Sequence, residues 1–98
     1  MLAEYLADTK TVKAIKLDRN HITDKGVTTL CKVLGSLSVK TLDLGYNKIG
    51  MLGFNKIHAY AKLNHHIKGV NLTGNDIDDK MKPKMRKEMQ NMGIELDV

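Results

Sequence analysis

Apolar and polar positions follow one another in an order that recurs along the chain. Three short segments, "AIKL" (14–17), "TLDL" (41–44) and "GVNL" (69–72), carry apolar residues one position apart: Ile15/Leu17, Leu42/Leu44 and Val70/Leu72. A period of two predicts a short strand with one buried face. Each strand leads to an asparagine, Asn20, Asn47 and Asn75, at intervals of 27 and 28 residues, and then to Ile22, Ile49 and Ile77. Beyond the turn the period lengthens to that of a helix. Val27, Leu30, Leu34 and Leu37 fall on one stripe, with Phe54, Ile57, Ala61 and Asn64 at the aligned positions of the second segment. Met81, Met85, Met89 and Met92 form the stripe of the third; one apolar face per helix is the mark of an element packed on a core. Strand, asparagine turn and helix therefore recur over 12–38, 39–66 and 67–93. Gly26 and Gly53 share a slot in which close helix–strand packing is expected. Residues 1–11 read as the end of a partial repeat, and 94–98 as a terminal strand with Leu96 and Val98 inward. No linker or low-complexity segment divides residues 1–98, so one domain is expected.

A fixed period of this length is the signature of a solenoid. The pattern LxxLxLxxNxI, three times in register, resembles the ribonuclease-inhibitor-like class of leucine-rich repeats. That resemblance implies an α/β, right-handed leucine-rich-repeat solenoid with a parallel β-sheet on the concave side and α-helices on the convex side. It also implies that Asn20, Asn47 and Asn75 form a structural ladder, bonding backbone groups where the chain leaves the sheet. Similar repeats occur in inhibitors of ribonucleases, innate-immune receptors, activators of small GTPases, and effectors that intracellular bacteria deliver into host cells. The implied function is a protein–protein interaction module.

If Ile15 and Leu17 point inward, alternation sends Ala14, Lys16 and Asp18 to the opposite, concave face. The equivalent positions are Thr41, Asp43 and Gly45, then Gly69, Asn71 and Thr73, with Glu95 and Asp97 on the last strand. Arg19 and Tyr46 stand at the strand exits. In the repeats that this chain resembles, such positions form the contact surface. The expected partner-binding residues are therefore Lys16, Asp18, Arg19, Asp43, Tyr46 and Asn71, with Arg and Tyr favoured as interface anchors. The bland alternative for Lys16 and Asp43 is mutual neutralisation across adjacent strands, worth under about 1 kcal/mol.

Composition narrows the remaining options. With four aromatics and no Trp, the core must be aliphatic. No apolar run approaches the roughly 20 residues of a membrane span, and no signal peptide is evident. A lone Cys31 excludes an intramolecular disulfide framework and suits a reducing compartment; the expected location is cytoplasmic, or a host cytosol for a delivered effector. The charge of +5 is uneven. Residues 1–66 hold ten Lys/Arg against five Asp/Glu, whereas 67–98 hold six of each. Within the balanced part, "KMKPKMRK" (80–87) packs five cations without an acid. The alternative reading is thus an electrostatic binder of nucleic acid or an acidic surface through this basic helix. It lacks the aromatic or glycine-rich readers that usually accompany nucleic-acid binding, so a solvated helix face is favoured. Pro83 fits only a first helical turn, placing Asp78 and Asp79 just ahead as caps.

No site chemistry emerges. His58, His65 and His66 lack the convergence that a zinc site needs, and Cys31 has no base beside it. No paired carboxylates, phosphate loop or catalytic triad is present, so no enzymatic activity, cofactor or metal is expected. Opposite charges at the two ends, Lys13 and Lys16 against Glu95 and Asp97, add one further expectation, head-to-tail self-association.

Overall fold

A computed structural model of the chain describes residues 14–35 and 38–98. In chain order it contains β1 (Ala14–Lys16), α1 (Asp24–Leu34), β2 (Thr41–Asp43), α2 (Met51–Leu63), β3 (Gly69–Asn71), a 3₁₀ turn (Asp79–Met81), α3 (Lys82–Gln90) and β4 (Glu95–Asp97). The four strands form one parallel sheet in the order β1-β2-β3-β4. Successive parallel neighbours require a crossover, and the helices supply it. Register follows the repeat period, with Ile15 opposite Leu42, Leu42 opposite Val70, and Val70 opposite Leu96. Backbone pairing runs past the strand ends: the Leu17 amide donates to the Asp43 carbonyl, Arg19 to Gly45, and Tyr46 to Thr73.

The expected inward residues are inward. Ile15, Leu17, Leu42, Leu44, Val70, Leu72 and Leu96 are buried beneath the sheet, joined by Ile49 and Ile77 after the turns. Val39, Ile67 and Ile94, ahead of the strands, close the other end of the same layer. The helices add Val27, Leu30 and Leu34 from α1, then Phe54, Ile57, Tyr60 and Ala61 from α2. Met85 and Met89 of α3 are fully buried, with Met81 and Met92 packed at the margin, so the methionine stripe lines the core. Unbranched Met fills such irregular space readily. The reading of residues 1–11 as the end of a partial repeat, together with Lys13 and Leu37, lies outside the described residues.

Element ends explain their own residues. Asp78 accepts from the Lys80 amide and starts the 3₁₀ turn, and Pro83 sits in the first turn of α3. Asp79 instead bonds the Lys82 ammonium at 2.7 Å, which holds its carboxyl below the usual range. The α3 terminus closes on Gly93, whose φ of 74° is left-handed. There the Ile94 amide donates to the Met89 carbonyl and the Gly93 amide to Gln90, the paired bonds of a glycine-terminated helix.

The shared glycine slot has a different cause from the one expected. A Cβ on Gly53 would lie 2.5 Å from both Asp24 Oδ1 and Ile49 Cγ2. No strand presses there. Asp24, from the preceding repeat, accepts from the Gly50 amide at 2.7 Å and the Gly53 amide at 2.8 Å, capping α2 from outside its own repeat. Gly26 is crowded only by Ile22 Cγ2.

Candidate functional site

The exposed sheet face is a shallow depression of ≈ 450 Å³ whose lining includes Lys16, Asp43, Asn71, Glu95 and Asp97. Parallel register sets Lys16 beside Asp43, Asp43 beside Asn71, and Asn71 beside Asp97, so the four side chains stand in one row. Lys16 and Asp43 do not form an ion pair among the described residues. Asp43 Oδ1 instead accepts from the Gly45 amide at 3.1 Å and from Asn71 Nδ2 at 3.2 Å, while Asn71 Oδ1 accepts from the Thr73 amide. Two of the expected contact residues therefore hold one another in place. Lys16 remains exposed at one end of the row and Asp97 at the other.

Arg19 and Tyr46 meet at the strand exits. Both have left-handed backbone, φ 58° and 55°, and Gly74 occupies the same position one repeat later at φ 75°. That conformation turns the chain out of the sheet and is tolerated by few residues except Gly and Asn. The Arg19 guanidinium lies 4.6 Å from the Tyr46 ring centroid, within cation–π range. Arg19 also bonds Asp18 at 2.9 Å. The other side of the Tyr46 ring lies over Gly74, where a Cβ would collide with Tyr46 Cδ1. Tyr46 is thus sandwiched yet still 53% exposed. Glycine at 74 escaped the sequence reasoning; its alignment with Arg19 and Tyr46 was the available signal.

Behind these residues run the asparagines. Asn47 is buried; its Oδ1 accepts from the Asn20 amide at 2.8 Å and the Ile22 amide at 2.9 Å. Its Nδ2 donates to the carbonyls of Leu17 and Leu44 at 3.0 Å and of Gly45 at 3.2 Å. Asn75 repeats the arrangement half-buried, accepting from Ile49 and donating to Leu44, Leu72 and Thr73. Asn20 differs: it is exposed, and its Nδ2 donates to the Asp18 carbonyl two residues back.

The other candidates are scattered. His58 packs its ring on Phe54 and reaches Glu88 at 3.5 Å, whereas His65 and His66 are exposed in the turn after α2. Among the described residues no three potential metal ligands converge. The Cys31 thiol points at the Lys56 carbonyl at 4.0 Å, and burial pushes its pKa up to about 11 against the lowering pull of Lys56, which suppresses the thiolate at neutral pH. In the basic segment, Lys82 pairs with Asp79 and Arg86 donates to the Val98 carbonyl. No helix among the described residues is long and apolar enough to cross a membrane.

A stack of strand–turn–helix units, with an internal asparagine at the turn and an exposed parallel sheet face, defines a leucine-rich repeat. The family model described as "Leucine Rich repeat" matches residues 10–31, 35–57 and 63–80, and the chain belongs to that family. Over 77 residues, 76% of this chain, it is 35% identical to "NACHT, LRR and PYD domains-containing protein 5" of Mus musculus, of which the match spans 7%. Its fold is similar to the solved "Leiomodin-1 Actin-Binding Site 2 (ABS2)", with a TM-score of 0.79 at 18% identity, over 97% of this chain and 58% of that one.

Proposed function

We propose that the chain is a protein–protein interaction module that binds a partner protein through its exposed sheet face. The observation that carries this reading is the stack of Arg19, Tyr46 and Gly74. It holds two hot-spot residue types in fixed positions before any partner arrives, which reduces the side-chain ordering that binding must otherwise impose. Lys16, Asp18, Asp43 and Asn71 surround the stack as a polar contact surface, with Asp43 and Asn71 already oriented by their mutual bond. The solved chain of similar fold is named for an actin-binding site; that name supports a protein as the class of partner. Roles as an inhibitor, a receptor segment or a delivered effector all fit such a surface, and each uses it in a cytosol, where Cys31 stays a thiol.

Affinity capture from nuclease-treated cytosolic extract tests the proposal, with wild type beside Arg19→Glu/Tyr46→Ala and Lys82→Glu/Arg86→Glu. All three proteins must first show the same melting curve. A protein lost only with the sheet-face pair supports the module and identifies its target. Capture seen only in a parallel extract without nuclease, or lost only with the α3 pair, replaces it with electrostatic binding through 80–87. End-to-end association between Lys16 and the acidic Glu95 and Asp97 belongs to the same reading. It requires mass to rise with concentration at low salt, and a constant monomer mass removes it.

A further inference from the structure

The helix side carries a feature that its structural duties do not account for. Leu52 is 71% and Leu63 is 83% exposed, and both lie on α2 opposite the Phe54/Ile57/Ala61 stripe, with Ala59 between them. A convex solvated helix normally turns polar residues outward. Beside this ridge, α1 and α2 bound an open cleft of ≈ 390 Å³ whose lining includes Cys31, Ala59, Tyr60 and Leu63. One lysine stands on each wall, Lys32 from α1 and Lys56 from α2, and the described lining contains no carboxylate. Across the two helices four lysines (25, 32, 56 and 62) face a single acid, Asp24. Its Oδ1 is already taken by the Gly50 and Gly53 amides.

We propose that this cleft is a second docking site and that it takes an acidic amphipathic helix of a partner protein. The lysines beside the cleft favour an anionic occupant, and its apolar lining favours an apolar stripe. The walls decide the occupant's conformation. Both are α-helices whose backbone groups bond internally, so the cleft offers no strand edge. An occupant must then satisfy its own backbone, which a helix does. The 11 residues of α1 give a seat about 16 Å long, some three helical turns. A lipid surface fits less well, because Leu52 and Leu63 are the only large apolar side chains that stand exposed on the described part of this helix pair. This site is independent of the sheet face, on the other side of the molecule.

Selection from a displayed library of random 16-residue peptides on the immobilised full chain provides the test. Enriched peptides are expected to carry Leu, Ile or Phe at helical spacing with Asp or Glu on the flanks, and to become helical on binding. Lys32→Glu/Lys56→Glu and Leu63→Ser should each weaken a selected peptide at least tenfold, while Arg19→Glu/Tyr46→Ala leaves it unchanged. Wild-type melting curves are required of every variant. Bound peptide should also slow alkylation of Cys31, the chain's one cysteine. No enrichment, enrichment of basic or extended peptides, or binding indifferent to the cleft substitutions overturns the proposal. Binding to vesicles of phosphatidylcholine and phosphatidylserine, with no peptide selected, overturns it in favour of a membrane surface.

Discussion

Asn47 shows how much a single amide can do at a bend. Its oxygen serves two amides of the preceding turn, and its nitrogen is shared among three carbonyls drawn from both repeats. An amide nitrogen has only two protons, so the three carbonyls must share them. Asn47→Ala would leave these buried groups without partners and is expected to cost about 1–3 kcal/mol, read as a lower melting temperature or denaturation midpoint. Asn20→Ala should cost far less, since that side chain is exposed and bonds locally. Cys31 gives a second test at this scale. Its pKa is pushed from 9.0 to about 11, so the folded protein keeps a proton that the unfolded chain loses. Below pH 9 the group contributes no pH dependence to stability; between pH 9 and 11 it lowers stability as pH rises. Alkylation of the folded protein should accordingly climb with pH toward about 11, and a plateau near 9 would contradict the burial that causes the shift.

Gly53 is the point where an element answers to its neighbour. In an isolated helix, replacing an interior Gly by Ala stabilises by about 1 kcal/mol. Here the new methyl would meet the Asp24 carboxylate that caps α2, so Gly53→Ala should destabilise. Asp24→Ala alone should cost about 0.5–2 kcal/mol as a lost cap. In the double variant the Gly53→Ala penalty should shrink, a coupling that a thermodynamic cycle measures directly. This arrangement also marks the limit of what could be read from the chain. Alternating Ile15/Leu17 and its two echoes made the strands and their register legible, and the Met85/Met89 spacing made α3 legible. The glycine slot was visible, but its cause was not, because the capping carboxylate lies 29 residues away. Lys16 and Asp43 show the same limit. Their adjacency followed from strand register, yet the preference of Asp43 for the Gly45 amide and Asn71 depends on side-chain geometry that a linear pattern does not contain. Leu52 and Leu63 were open to the same angular count that found the core stripe, had it been applied to the opposite side of α2.

At the scale of the whole molecule, the sheet face and the α1–α2 cleft give the protein two surfaces of different character. The first is polar and pre-arranged; the second is apolar with a basic rim. Raising the salt concentration should weaken binding at the cleft rim, where Lys32 and Lys56 provide attraction. The repeats themselves are joined unequally. Between the first and second stand both Asn47 and the Asp24 cap. Between the second and third stand the half-buried Asn75 and two partly exposed contacts, Asp43 with Asn71 and His58 with Glu88, while the position aligned with Asp24 is Met51. Under mechanical tension the two joints should therefore part in a set order, the one held by Asn75 first. The fold would act as a graded fuse, yielding its last repeat while the Arg19–Tyr46 pair stays assembled.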